Sequence, residues 1–493
     1  MEYNKFLSLA EKYNTVPVYD RLAADLQTPV SAYLKLRKHS DSSFLLESVE
    51  GIGRLARYSF IGIDPEIIIS NRHKKIKIEK PDKSEMIENN LFDYLQRSTE
   101  RRDYPVIDEL PYFTGGWVGY IGFDNISLIE DVIDYKDRNG HEFPDSILGF
   151  FRTIIVFDHF KHQLILINNS DCTDKTKLKN SYEVSINKLN KIKKILNEEL
   201  NYKSDFKVIP KEFHKDEEEE FLNSVEKSKS NIYNGDVFQI VLSRRFEAEY
   251  SGDLFNVYRA LRMINPSPYM YYISFGNDIK VAGTSPEDLL KVNDRKAEIL
   301  PIAGTRRRGK NEEEDKKLEE NLINDPKEIA EHVMLVDLAR NDLGRVCKTG
   351  TVKISENMKI NRFSHVMHIV SRVEGILKDG LDSIDALKAA FPAGTVSGAP
   401  KIRAIQLINQ YEKLKRGLYA GSVGYIDFRG NLDMCIAIRT LWANNQSVFW
   451  QAGAGIVADS RPELELKEIK NKSAVLLSAL KLAEVIDENI DNR

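Results

Sequence analysis

Strand-forming runs broken by short turns fill residues 421–457: GSVGYIDF, then Arg429-Gly430-Asn431, LDMCIAIRTLWA, then Asn444-Asn445-Gln446, and SVFWQAGAGIV. Turn spacing of that kind predicts a meander of antiparallel strands. The same signal recurs in the first third of the chain. Residues 66–80 end in alternation, with Ile76 and Ile78 separated by lysines as in a half-buried strand. TIIVFDH (153–159) and QLILINN (163–169), joined by a short polar turn, predict a hairpin. Between these lies FTGGWVGYIGFD (113–124), where glycines allow close backbone approach.

Helical spacing appears at Ile186, Leu189, Ile192, Ile195, Leu196 and Leu200, within a stretch rich in Lys, Asn and Glu that ends in the acidic run Glu217–Glu220. The expected organisation is an N-terminal region (1–170), a charged helical connector (171–220) and a C-terminal region (221–493). The expected class is α+β, with antiparallel sheets flanked by helices.

A net charge of −4 over 493 residues gives no field that favours nucleic acid or an anionic membrane. The N-terminus has no apolar signal region, and no stretch reaches the roughly 20 apolar residues needed to span a bilayer. Cys172, Cys347 and Cys435 form no metal or disulfide pattern, which fits a reducing compartment. A cytoplasmic protein that binds neither membrane nor nucleic acid is expected.

Two pairs of carboxylates stand out. In NDPKEIAEHVMLVDLARND (324–342), Asp325 and Pro326 read as N-cap and first residue of a helix, with Glu328 and Glu331 three apart. In DSRPELELKEIKNKSAVLLSAL (459–480), Ser460 reads as the cap and Pro462 as the start, with Glu465 and Glu468 three apart. Such carboxylates suit a hard cation like Mg²⁺. Helix capping by Glu328, or an i,i+4 pair between Glu468 and Lys472, explains each equally well. His368 lies in FSHVMHIVSRVEG (363–375) on the strand face shared by Val366, Val370 and Arg372. A core histidine and an acid or base both satisfy that position, and His332 and His365 carry the same ambiguity. Three glycine-bearing loops, at 301–306, 393–401 and 453–455, are turns or anion sites.

In order along the chain, PIAGTRRRG (301–309), EHVMLVDLARNDLGRV (331–346), SHVMHIVSRVEG (364–375), FPAGTVSGAPK (391–401), YAGSVGYID (419–427), AIRTL (437–441), QAGAGIVADS (451–460) and ELKEIKNK (465–472) resemble the chorismate-utilising enzymes. The resemblance implies Mg²⁺ ligands at Glu331 and Glu468, with Glu328 and Glu465 acting directly or through water. It implies chorismate contacts at Gly304, Thr305, Tyr419, Arg439, Gly453, Ala454, Gly455 and Lys472. It further implies an acid/base role for His368 and places Thr395 near the reacting ring.

Within that family the chain resembles the large subunits of anthranilate synthase, which join chorismate and ammonia. The aminodeoxychorismate synthases usually carry a nucleophilic lysine where this chain has Ala303. Thr28–Tyr33, Phe44–Gly51, Arg57–Gly62 and Asn265–Tyr271 resemble the tryptophan-sensing pocket of the anthranilate enzymes. The implied inhibitor contacts are Ser48, Pro268, Tyr269 and Met270. No cysteine sits in a glycine-rich nucleophile elbow, so the resemblance implies a separate glutamine amidotransferase subunit as ammonia donor. The alternatives are an aminodeoxychorismate synthase and a non-catalytic tryptophan-binding regulator on the same fold.

Overall fold

The computed structural model describes residues 1–487 apart from 51–53, 101–102, 136–142, 204, 211–214, 277 and 363–365. His365 and Gly51 therefore lie outside the described residues. The strands form two twelve-stranded sheets and one two-stranded ribbon. Every ladder in the two large sheets is antiparallel, including both edges of the hairpin Thr153–Asp158 and Gln163–Asp171. The α+β class with antiparallel sheets is what the molecule adopts.

Period-two patterning divides the first sheet between two cores. Phe44 of Ser42–Glu47 and Tyr271, Ile273 and Phe275 of Tyr269–Phe275 face the second sheet; Phe44 meets Phe151 edge-on, ring centroids 4.7 Å apart. Their neighbours Leu45, Met270 and Tyr272 point to the opposite face. There they pack with Tyr33 of helix Pro29–Leu36, Leu189 and Ile192 of helix Leu178–Leu196, and Leu476 and Leu480 of helix Pro462–Glu484. Burying both faces in this way makes the sheet a continuous apolar wall. Ile76 and Ile78 are buried between exposed Lys75 and Lys77, as their alternation predicts. The helix over 178–196 buries the expected apolar stripe, but it ends before Leu200, which is 38% exposed.

Strands from both ends of the chain meet in each sheet. Ser42–Glu47 pairs with Tyr269–Phe275 in the first, and Gly116–Ile121 pairs with Ser422–Asp427 in the second.

The 421–457 run departs from a single meander. Ser422–Asp427 and Leu432–Ile436 pair in the second sheet, whereas Thr440–Asn444 and Ser447–Ile456 pair in the first. The stretch LDMCIAIRTLWA is thus two strands joined by a crossover at 437–439. Arg439 lies in that crossover with φ +49°. Among the described residues no helix is long and apolar enough to cross a membrane.

Candidate active site

The crossover opens onto a cleft of ≈1260 Å³, walled by the strands Ile302–Arg307 and Val366–Ile376, the helices Pro326–Val346 and Pro462–Glu484, and the loop carrying Thr395. Gly304, Thr305, Glu331, His368, Thr395, Arg439 and Gly455 line it, and so do Glu465, Glu468, Lys472 and Pro268.

His368 owes its setting to a break in the ladder. Strand Ile302–Arg307 pairs with Val366–Ile376, but the register shifts between Ala303 and Thr305, leaving Gly304 between them. Gly304 has φ +70°, and a Cβ there would stand 3.0 Å from Leu322 Cδ1 and 3.1 Å from Glu328 Oε2, so glycine is required. His368 Nδ1 lies 3.0 Å from the Gly304 carbonyl oxygen and 3.0 Å from Thr305 Oγ1. A carbonyl can only accept, so the neutral ring carries its proton on Nδ1 and its lone pair on Nε2. Burial pushes the pKa of His368 down, the Gly304 hydrogen bond opposes this, and the Arg439 charge adds to the lowering. The ring is neutral at neutral pH. His332 is different: it is fully buried, with Nε2 2.7 Å from Ser371 Oγ, and belongs to the core.

The acidic pairs sit on two helices that face one another. Asp325 caps the first, accepting from the backbone N–H groups of Lys327 and Glu328, with Pro326 next, as the sequence predicts. In the second, Arg461 occupies the cap position without a side-chain cap, and Ser460 Oγ instead accepts from the N–H of Val457. Pro462 follows directly, and its missing N–H needs no cap.

Burial raises the carboxyl pKa of Glu331, and the Glu328 and Glu468 charges raise it further. Burial likewise raises Glu465, with Glu468 adding to it. Glu328 does not line the cleft; its Oε1 accepts from Arg306 at 2.9 Å, and Arg306 also binds Asp325 at 2.8 Å. Glu468 pairs with Lys472 at 2.7 Å. Hard carboxylate oxygens crowded onto two facing helices are a donor set that a divalent cation would relieve. Among the described residues no three His, Cys, Asp or Glu side chains gather around one point.

Lys472 Nζ also donates to the Gly453 carbonyl at 2.9 Å. Tyr419 is buried, and its hydroxyl abuts Gly453, where a Cβ would lie 2.5 Å from it. Ala454 is fully buried beside them. Tyr419, Gly453 and Ala454 therefore stand behind the cleft wall, whereas Gly455 is on it.

Ser48, Pro268, Tyr269 and Met270 are brought together through strand pairing: Met270 lies opposite Glu47, and the Val49 N–H donates to the Ser267 carbonyl at 3.3 Å. Met270 points to the outer core, Tyr269 donates to Asp433 at 2.9 Å, and Pro268 reaches the cleft. Glu47, whose side chain is wholly buried, accepts from Tyr258 at 2.6 Å and pairs with Arg262 at 2.9 Å.

Glu287 is a cleft residue that sequence reasoning misses. Burial pushes its carboxyl up, only partly offset by the Thr395 hydroxyl and the Arg439 guanidinium. A single glutamate after Pro286 has no spacing that marks it. Asn265, which accepts from Arg439 at 3.1 Å, is marked in the sequence only as part of the tryptophan-sensing resemblance, and Arg306 only as part of a glycine-bearing loop.

The chorismate binding enzyme family matches residues 16–478 of this chain. Anthranilate synthase component 1 of Aquifex aeolicus is 45% identical, covering 97% of each chain. That of Acetivibrio thermocellus is 42% identical over 96% of this chain and 97% of its own. Among solved structures, anthranilate synthase component I from Streptococcus pneumoniae superposes with TM-score 0.73 at 36% identity, covering 93% of this chain and 99% of its own. The menaquinone-specific isochorismate synthase of Escherichia coli shares the fold at TM-score 0.69 and 18% identity, covering 97% of this chain and 98% of its own. By matches that run nearly end to end, the chain belongs to the chorismate binding enzyme family and, within it, to the anthranilate synthase component 1 proteins.

Proposed function

We propose that the chain converts chorismate and ammonia to anthranilate and pyruvate, in tryptophan biosynthesis, through an aminodeoxyisochorismate intermediate. What supports this reading is one cleft that joins Arg439, His368 and Glu287 to a carboxylate cluster, with Ala303 where a nucleophile would otherwise stand.

Chorismate carries two carboxylates. The planar fork of Arg439 suits the enolpyruvyl carboxylate. Glu331 and Glu468, with Glu465 beside them and Glu328 set back against Arg306, would hold Mg²⁺, which would neutralise the ring carboxylate. Ammonia adds at C2 as the ring double bonds shift and the C4 hydroxyl departs. Glu287, whose carboxyl burial pushes up, gives the proton with which that hydroxyl leaves as water and regains one from the added ammonia, whose nitrogen becomes the amino group. His368 then takes the C2 hydrogen as a proton on Nε2, the C3–O bond breaks as the ring becomes aromatic, and the departing enolpyruvate gains a proton at its methylene carbon to become pyruvate.

Tryptophan held against Ser48, Pro268, Tyr269 and Met270 regulates the reaction by favouring one of two conformations, a coupling of about 1–3 kcal/mol. A separate glutamine amidotransferase supplies the ammonia. In support of that division, all three cysteines are buried, and burial pushes the thiols of Cys172 and Cys347 up to about 11, unsuited to nucleophilic attack.

The test is the purified chain with chorismate, Mg²⁺ and an ammonium salt. Anthranilate fluorescence is expected; aminodeoxychorismate or isochorismate as the product would overturn the reading.

A further inference from the structure

Arg306 commits every nitrogen of its guanidinium to the framework beside the cleft. Nε donates to Asn321 Oδ1 at 2.9 Å, and Nη2 donates to Asp325 Oδ2 at 2.8 Å. Nη1 donates to Glu328 Oε1 at 2.9 Å and to the Thr305 carbonyl at 3.0 Å. One side chain thereby joins helix Glu312–Ile323, the cap and first turn of helix Pro326–Val346, and the strand that seats His368. A planar fork held at these points has a fixed pose that a flexible lysine would not reproduce.

Glu328 is turned to this fork and away from the cleft. It stands three residues before Glu331, and side chains at that spacing share a helix face, their Cβ atoms about 5–6 Å apart. Spacing alone would bring both carboxylates to one cation, yet Glu331 lines the cleft and Glu328 does not. Gly304 makes the room into which Glu328 withdraws, since a Cβ there would stand 3.1 Å from Glu328 Oε2. Asp325 keeps the fork in place, because its Oδ1 is already held by the N–H groups of Lys327 and Glu328.

The number of carboxylates bears on which cation such a site prefers. Mg²⁺ takes one or two of them at about 2.0–2.1 Å, in a near-ideal octahedron completed by water. Ca²⁺ takes about six to eight oxygens at about 2.3–2.6 Å in looser geometry, so it gains from each carboxylate added. Glu331, Glu465 and Glu468 already line the cleft. A released Glu328 would move the site toward the oxygen-rich sphere of Ca²⁺.

Resting on the Mg²⁺ reading of the cleft, we propose that Arg306 is a positioning residue that withholds Glu328 from the metal and thereby sets a preference for Mg²⁺ over Ca²⁺. Gly304 and Asp325 serve the same end, one by leaving space and the other by anchoring the guanidinium.

The test is calorimetric titration of Mg²⁺ and, separately, Ca²⁺ into the full chain without chorismate. Arg306→Gln, Glu328→Gln and the double variant are compared with the wild type. Arg306→Gln is expected to tighten Ca²⁺ binding about tenfold and to change Mg²⁺ binding by less than about threefold. The double variant should lose that gain, because the released carboxylate is gone. A folded Arg306→Gln chain that gains no more for Ca²⁺ than for Mg²⁺ overturns the proposal, as does a gain that survives in the double variant. If Arg306→Gln does not fold, Glu328→Gln decides. Mg²⁺ affinity kept within about threefold supports the withheld carboxylate, and a larger loss puts Glu328 on the metal and overturns it. Wild-type Mg²⁺ affinity that neither Glu331→Gln nor Glu468→Gln weakens sinks the metal reading and this proposal together. Weakening in those two, with Ca²⁺ binding unmoved in Arg306→Gln, sinks the role of Arg306 alone.

Discussion

Arg439 Nη1 donates to Asn265 Oδ1 at 3.1 Å, tying the crossover between the two sheets to the segment that leads into Ser267 and Pro268. A non-glycine residue at φ +49° is costly and persists only where its surroundings hold it. Asn265 is itself held, donating from Nδ2 to Thr284 Oγ1 at 2.9 Å. The guanidinium therefore faces the cleft in a fixed pose.

Arg439→Lys removes the planar fork and keeps the charge. It is expected to lower kcat/KM for chorismate about 100-fold, near 2.7 kcal/mol, and Asn265→Ala about tenfold, mostly in KM. Initial-rate kinetics decide this; a lysine variant with wild-type kcat/KM removes Arg439 from substrate recognition.

His368 works as a base only when neutral. Its pKa is pushed below the ordinary value of about 6.5, so the acid limb of kcat/KM should bend below that pH. His368→Ala should abolish that limb along with most of the rate. The folded state of the chain faces the same sign. His332 and His368 both have lowered pKa values, so below about pH 6.5 the unfolded chain binds protons that the folded chain refuses. The contribution of these two histidines to stability is thus complete above that pH and falls on acidification. An acid limb lying above pH 6.5 would contradict the base assignment.

Much of this was legible in the sequence, where local physics decides the outcome. The hairpin at 153–169 follows from two β-branched runs and a polar turn, and Asp325-Pro326 follows from capping chemistry. The crossover at Arg439 did not show. LDMCIAIRTLWA is almost wholly buried on both sides of the break, so its hydrophobicity carries no sign that the chain changes sheets. Glu287 is a site residue only because tertiary folding buries it, and no local pattern encodes that. Ser460 has the right chemistry for a cap but stands one residue too early.

Metal binding can be read without turnover. Calorimetric titration of Mg²⁺ into the chain without chorismate should show one site. Glu331→Gln and Glu468→Gln should each weaken it more than about tenfold, since each removes one of the few charged ligands Mg²⁺ accepts. Chelator should abolish activity and excess Mg²⁺ restore it. Undiminished affinity in both variants would move the metal elsewhere.

Tryptophan at about 100 times its dissociation constant should stabilise the chain by about 2.7 kcal/mol, seen as a raised Tm. Ser48→Phe puts a bulky ring on the segment proposed to hold the inhibitor and should erase the shift while sparing activity with ammonium. A shift that survives in Ser48→Phe places the ligand outside this segment.

Arg416 and Glu412 bear on the stability of the whole cleft. Arg416 is 2% exposed, and it donates to the carbonyls of Val396 and Val241, each at 2.7 Å. It also donates to Glu412 at 2.8 and 2.6 Å. Glu412 in turn accepts from the N–H and hydroxyl of Ser243 at 2.9 and 2.8 Å. The pair thereby fastens the loop after Thr395 to the strand Gln239–Ser251, which runs beside Gly453 and Gly455. Burying both charges is costly, and their mutual attraction offsets that cost only while both remain. Glu412→Gln should therefore destabilise the chain by about 3–5 kcal/mol, because it leaves an uncompensated buried guanidinium. Replacing both residues by leucine and methionine should recover much of that loss, which a charge-independent packing role would not allow. Denaturant midpoints of the single and double variants separate the two accounts: a double variant as unstable as Glu412→Gln assigns the effect to shape instead of charge.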